Sequence, residues 1–169
     1  MEPGILRVKS VVDLFYICLF EFIGTTIVLM GINLANGRAD VVIATIFTAA
    51  ILTCRVSGAH FNGALSLAIY VLEAKWFENL PILITSYIGA QGGAFFGTAI
   101  AFFIRGKEGM PILRPFENAS FQFVIVVEML YTVIMILVIL QVKYGQISPS
   151  TDCVLCNAAV MSTIFGLAM

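Results

Sequence analysis

Long apolar runs separated by short polar segments dominate the chain. Three of the runs are long enough to cross a bilayer as helices, because a span needs about 20 apolar residues at a rise of about 1.5 Å each. A fourth run is slightly shorter and continues to the last residue. The four runs are residues 14–35, 81–104, 121–142 and 153–169. This pattern predicts transmembrane helices and an all-α membrane protein.

A fifth apolar run, residues 41–54, leads directly into a polar, glycine-rich segment at residues 57–68. Non-helical backbone at bilayer depth is tolerated only where it is buried in protein or lines a water-filled cavity. We therefore expect residues 41–54 to be a full helix and residues 55–72 to form a re-entrant loop and a half-helix. The half-helix should begin at Asn62, and the bundle should contain five full spans.

The composition agrees with a multi-pass integral membrane protein, although it does not identify the membrane. Hydrophobic residues make up 60% of the chain and charged residues 11%, whereas soluble proteins have about 25% charged residues. The net charge of −1 gives no indication of nucleic-acid binding. The first apolar run has span length and contains Glu21, so we interpret it as a retained helix rather than a cleaved signal peptide.

The chain lacks a pattern typical of an enzyme or of a metal site. Cys153 and Cys156 form a CxxC pair, but no second pair and no nearby histidine completes a set of four zinc ligands. His60 is the one histidine, and scattered hydroxyl groups do not make a nucleophile and base. We therefore predict no enzymatic activity, no metal and no cofactor, with His60 packed inside its loop.

A short internal repeat is visible at an offset of 107 residues, where Glu21 aligns with Glu128 and each is followed four residues later by threonine. A carboxylate in the middle of a span is costly unless it faces a polar interior. We expect both glutamates to lie inside the bundle. The chain is then one domain, 1–169, made of a first repeat at 11–105 and a partial second repeat at 119–169.

Several of these features together resemble the aquaporin family, also called major intrinsic proteins. They are the span with Glu21, the loop Ser-Gly-Ala-His-Phe-Asn-Gly-Ala-Leu-Ser-Leu-Ala at residues 57–68, the segment Tyr-Ile-Gly-Ala-Gln-Gly-Gly-Ala at residues 87–94, and the span with Glu128. The resemblance covers residues 11–169. It implies an aquaporin-like helical bundle with a re-entrant loop and a half-helix.

The chain departs from the family pattern at two points. Family members usually carry Asn-Pro-Ala where this sequence has Asn62, Gly63 and Ala64. The second asparagine loop, the sixth span and the filter arginine of the family are also not found in these residues. The resemblance therefore predicts a bundle that is incomplete at its C-terminal side.

The resemblance also implies roles for individual residues. Asn62 would cap the half-helix and offer its side-chain NH₂ to water, while backbone carbonyls of Gly58, Ala59 and His60 would line the pore. Val42 would occupy the narrow filter. Glu21 and Glu128 would brace the re-entrant loops by accepting backbone hydrogen bonds.

Three glycines in the apolar run 81–104, Gly89, Gly93 and Gly97, are spaced four residues apart. This spacing places them on one face of a helix, where small residues allow another helix to approach closely. We interpret them as packing residues.

Two functions remain open from the sequence. One is a channel for water or small neutral solutes, favoured by Asn62, His60 and the two glutamates. The other is a non-conducting aquaporin-like subunit of a larger membrane complex, favoured by Gly63 and by Arg55 just before the loop. In either case the expected partners are the lipid bilayer and further copies or subunits.

Overall fold

The computed structural model describes residues 10–110 and 120–144 together with Val160. Within this part of the chain the secondary structure consists of helices, with no strand. The helices are α1 (Val11–Leu34), α2 (Ala39–Thr53), α3 (Gly63–Glu73), α4 (Trp76–Gly109) and α5 (Phe121–Tyr144). Three of them, α1, α4 and α5, are long and apolar enough to cross a membrane.

Local signals at both ends define α1. At its start the Ser10 hydroxyl accepts a hydrogen bond from the backbone N–H of Asp13, and the Asp13 carboxylate accepts one from the N–H of Ser10. This reciprocal pair satisfies two backbone donors that a helix start leaves unpaired. After α1 the chain reverses through Asn36 and Gly37, whose φ angles are 55° and 79°. Because this connection is so short, α2 runs antiparallel to α1.

Helices α1 and α4 run parallel and approach closely along the glycine face. Each of the three glycines spaced four apart on α4 lies against a backbone carbonyl of α1, in matching order along both helices. The pairs are Gly89 with Cys18, Gly93 with Phe22, and Gly97 with Thr26. This is the close backbone approach expected from small residues at four-residue spacing. The Thr26 hydroxyl also donates across the interface to the carbonyl of Gly93, at 3.3 Å.

Helix α2 is not the full span expected from the sequence. It has 15 residues and is therefore about 22 Å long, shorter than the ~30 Å hydrocarbon core. Gly31 of α1 packs on Thr45, and the backbone after α2 reaches Glu21, near the middle of α1. Helix α2 ends at Thr53, and turn hydrogen bonds continue as far as Gly58, where left-handed backbone begins. The prediction of five full spans is therefore wrong for α2.

Helix α3 continues from the level where α2 stops. It ends at Glu73, and Ala74 in the left-handed conformation (φ 52°) turns the chain into α4. Gly63, at the start of α3, lies against the ring of Tyr87 on α4, so α3 and the first part of α4 form an antiparallel hairpin.

A small apolar core joins α3 to the C-terminal half of α5. Its buried members are Leu65 and Ile69 of α3, Ile139 of α5, and Val160. The N-terminal half of α5 is largely exposed. Apart from Val160, which is helical and buried, the expected span 153–169 lies outside the described residues.

The glycine face of α4 gives a first test. We expect Gly93→Ala to lower the apparent midpoint of thermal unfolding in detergent by about 2–8 °C, because the new Cβ would meet the Phe22 backbone carbonyl. Gly92→Ala is the matched control, since its Cβ would meet only the edge of the Phe22 ring, at 3.2 Å. Circular dichroism of both variants measures the effect. Equal midpoints for the two variants would contradict this packing.

Candidate functional site

The non-helical segment between α2 and α3 is attached to the middle of α1 by one carboxylate. The side chain of Glu21 is fully buried. One of its oxygens accepts the backbone N–H of His60 at 3.0 Å, and the other accepts the backbone N–H of Phe61 at 2.8 Å. Both oxygens therefore bind consecutive loop amides. Hydrogen bonds to an ionised acceptor are about twice as strong as neutral ones.

The backbone of the loop is shaped for this contact. Three of its residues have positive φ angles: Gly58 at 87°, Ala59 at 55° and Phe61 at 49°. Left-handed backbone next to ordinary backbone turns successive N–H groups toward one point and creates an anion-binding concavity. Non-glycine residues in this region store strain of about 1–3 kcal/mol each, which the surroundings must offset. The two bonds to Glu21 contribute to that offset.

Packing and local hydrogen bonds hold the loop from its other sides. The ring of Phe61 lies directly on Gly24 of α1, where any side chain would collide with it. Ser57 is fully buried, and its hydroxyl lies 3.4 Å from the N–H of Ala59, which donates to it. The absence of a side chain at Gly24 is therefore a requirement of the loop position.

Asn62 caps the start of α3, in agreement with the half-helix start that the sequence predicts there. Its backbone is extended (φ −145°), and its Oδ1 accepts the N–H of Ala64 at 2.8 Å. Its Nδ2 has no hydrogen-bond partner among the residues that the structure describes. The unpaired amides of the first turn and the helix dipole add positive charge at the same place. The start of α3 is therefore a cluster of hydrogen-bond donors.

The His60 ring stays within the loop. Its Nδ1 lies 3.1 Å from the hydroxyl of Ser66, and that hydroxyl donates to the carbonyl of Asn62 at 3.3 Å. The ring thus links the loop to the first turn of α3. Among the described residues, no three His, Cys, Asp or Glu side chains come together in a way that could hold a metal ion.

Tyr87 of α4 is a contact of the site that sequence reasoning missed. Its ring occupies the space next to Gly63, where an added Cβ would come within 2.8 Å of the ring carbons. Gly63 is the position at which the aquaporin family usually has proline. Only the glycine itself signalled this contact, since nothing in the sequence pairs residue 63 with residue 87.

Glu128 differs from Glu21 and requires a correction. Its side chain is exposed on α5, and no hydrogen bond to it is present within the described part of the chain. Within the described part of the chain, the expectation that Glu128 lies inside the bundle is wrong, because only the C-terminal half of α5 packs on α3.

The residue expected at the narrow filter, Val42, lies away from the loop. Val42 is half-buried in the first turn of α2, at the end of that helix remote from the loop. Its filter role stays a prediction, as does the pore-lining role of the carbonyls of Gly58, Ala59 and His60. Cys153 and Cys156 lie outside the described residues.

Comparisons of the chain with protein-family models, with curated proteins and with solved structures find no match. The functional argument therefore depends on the geometry of the loop and of the start of α3.

The carboxylate contact can be tested by hydrogen exchange. Glu21→Gln leaves one acceptor oxygen for two loop amides, so we expect the amides of His60 and Phe61 to exchange about 10- to 100-fold faster. Glu128→Gln is the matched control, the same change at an exposed carboxylate, and should leave this loop unchanged. Mass spectrometry of peptides covering residues 55–65 measures both. Unchanged exchange in Glu21→Gln would rule out the bracing role.

The contact between Gly63 and Tyr87 predicts a dependence between two substitutions. Proline at the first helical position fits the backbone and restricts the unfolded chain, but its ring must displace Tyr87. We therefore expect Gly63→Pro to raise the thermal midpoint more in a Tyr87→Ala background than in the wild type. The same increment in both backgrounds would mean that Tyr87 does not restrict this position.

Proposed function

We propose that this protein is an aquaporin-like membrane channel for water or small neutral solutes. The observation that carries the proposal is the pair of hydrogen bonds that the backbone amides of His60 and Phe61 donate to the Glu21 carboxylate. It fixes the start of α3 beside the middle of a helix long enough to span a membrane. A polar helix start at that depth is expected only next to a water-filled path or another polar surface.

The chemistry at the start of α3 suits neutral solutes. The Asn62 Nδ2 group can donate a hydrogen bond to a passing water oxygen, since the cap uses only Oδ1. The positive end of the α3 dipole disfavours protons and other cations at the same place. The buried Glu21 carboxylate is occupied by backbone amides, so we assign it to holding the loop rather than to contacting the solute.

A second candidate is a non-conducting subunit of a larger membrane complex. The exposed side chain of Glu128, within an apolar helix, favours it. A carboxylate side chain that faces hydrocarbon within a span is unfavourable by about 2.5–3.5 kcal/mol, and another protein chain that covers it could offset this.

Osmotic swelling separates the two candidates. Vesicles containing the 169-residue chain should change volume faster than empty vesicles after an osmotic step and should remain tight to ions. Stopped-flow light scattering measures the water flux, and a pH-sensitive dye inside the vesicles measures proton leakage. Glu21→Leu should abolish the added flux, whereas Glu78→Gln, at an exposed carboxylate outside the site, should preserve it.

The opposite result has a definite meaning. Flux at the level of empty vesicles, from protein shown to be folded by circular dichroism, would exclude the channel and favour the subunit. Flux accompanied by ion leakage would contradict the barrier assigned to the start of α3.

A further inference from the structure

The far end of α3 carries a second carboxylate with partners on two other helices. Glu73 is the last residue of α3. One of its oxygens accepts a hydrogen bond from Nδ2 of Asn79, on α4, at 2.5 Å. The other accepts one from the hydroxyl of Tyr144, at the end of α5, at 3.3 Å. We refer to Glu73, Asn79 and Tyr144 as the Glu73 cluster.

Two partners of Glu73, Asn79 and Tyr144, lie in buried or apolar surroundings. Asn79 is buried, with 8% of its surface exposed, so its amide would lack a partner if Glu73 were removed. Tyr144 packs on the apolar core that contains Leu65 and Ile69 of α3. The cluster therefore lies at the edge of the contact between α3 and α5.

Charges around Glu73 are few. Lys75, in the turn between α3 and α4, is the nearby cation, and Tyr144 is the titratable group that faces Glu73 from α5. Burial raises the pKa of Glu73 above its usual range, while Tyr144, Lys75 and Asn79 act in the opposite direction. Glu73 and Tyr144 both lie outside the three candidate spans.

We propose that Glu73 is a positioning residue that fixes the C-terminal end of α3 to α4 and α5, as Glu21 fixes the loop at its N-terminal end. Helix α5 then helps to set the direction of α3 and hence the place of Asn62. The consequence for solute passage depends on the proposed function, whereas the attachment itself does not.

The short length of α3 makes a second attachment necessary. It has 11 residues and is therefore only about 17 Å long, so its direction depends on what holds each of its ends. If α3 were attached only at its N-terminal end, the direction of the helix could vary about that end. Holding the carboxyl end through Glu73 removes this freedom and keeps the donors at the amino end in a fixed direction.

The first test is hydrogen exchange of the amides in residues 63–73. Glu73→Ala should increase their exchange about five- to tenfold, and Tyr144→Phe should increase it less, because it removes one of the two bonds. Glu73→Gln should largely restore protection, since its amide can still accept from Asn79. Glu78→Gln is the matched control at an exposed carboxylate in the first turn of α4.

Coupling between the partners distinguishes this role from general packing. In a Glu73→Ala background, Tyr144→Phe should have no further effect on the exchange of α3. Fluorescence of Trp76 gives a second measurement, because it is the one tryptophan of the chain and Tyr70, on α3, donates to its carbonyl at 2.8 Å. Its emission should shift in Glu73→Ala and not in Glu78→Gln. Additive exchange effects and unchanged Trp76 emission would overturn the proposal.

The pH dependence has a defined sign. A carboxyl group whose pKa is higher in the folded than in the unfolded state binds protons more tightly when folded. Stability should therefore fall as the pH rises from the ordinary Glu73 value of 4.5 toward its raised value. This slope should be absent in Glu73→Gln, and a slope unchanged by that substitution would contradict the assignment to Glu73.

Flux measurements keep this proposal separate from the proposed function. If α3 loosens as predicted in Glu73→Ala but wild-type vesicles conduct no water, the attachment stands and the channel is excluded. If wild-type vesicles conduct and Glu73→Ala changes neither exchange nor flux, the positioning role is excluded and the channel stands.

Discussion

One buried carboxylate determines how this chain can fold. Glu21 lies near the middle of α1, whose remaining residues from Leu14 onward carry no charge, and a carboxylate at that depth requires compensating hydrogen bonds. The loop after α2 supplies two amide donors, and it does so only with the left-handed backbone at Ala59 and Phe61. The interaction thus satisfies the charge and holds the strained loop at the same time. The position of the loop beside α1, and with it the place where α3 starts, follows from this interaction.

Missing side chains on α1 and α4 make this arrangement possible. Gly24 leaves room for the ring of Phe61, and Gly31 leaves room for Thr45. On another face of α1, the glycines of α4 bring the α4 backbone against α1 between Cys18 and Thr26. Helix α1 therefore has close neighbours on two sides. On one side, Phe61 and Thr45 lie against its own glycines. On the other side, its backbone carbonyls lie against the glycines of α4. Its sequence is constrained by what surrounds it more than by helix propensity.

The sequence predicted local features of the helices and the loop better than it predicted contacts between helices. Asn62 at the helix start, the glycine face of α4 and the polar break after α2 all follow from short-range rules of capping, spacing and membrane depth. The shortness of α2 and the exposure of Glu128 did not, because both depend on which helices pack together. The contact of Tyr87 with Gly63 and the cluster at Glu73 were also missed. They join residues on different helices, and neither forms a recognisable motif.

The separation of Glu21 from its partners along the chain has a consequence for biosynthesis. The carboxylate belongs to α1, which leaves the ribosome before its donors, the amides of His60 and Phe61, about 40 residues later. At about 5–20 residues per second, the donors follow several seconds behind. During that interval the Glu21 carboxylate lacks these two donors, which makes insertion of α1 into lipid less favourable. Stable insertion of α1 into the bilayer then depends on the later arrival of the loop that supplies these amides.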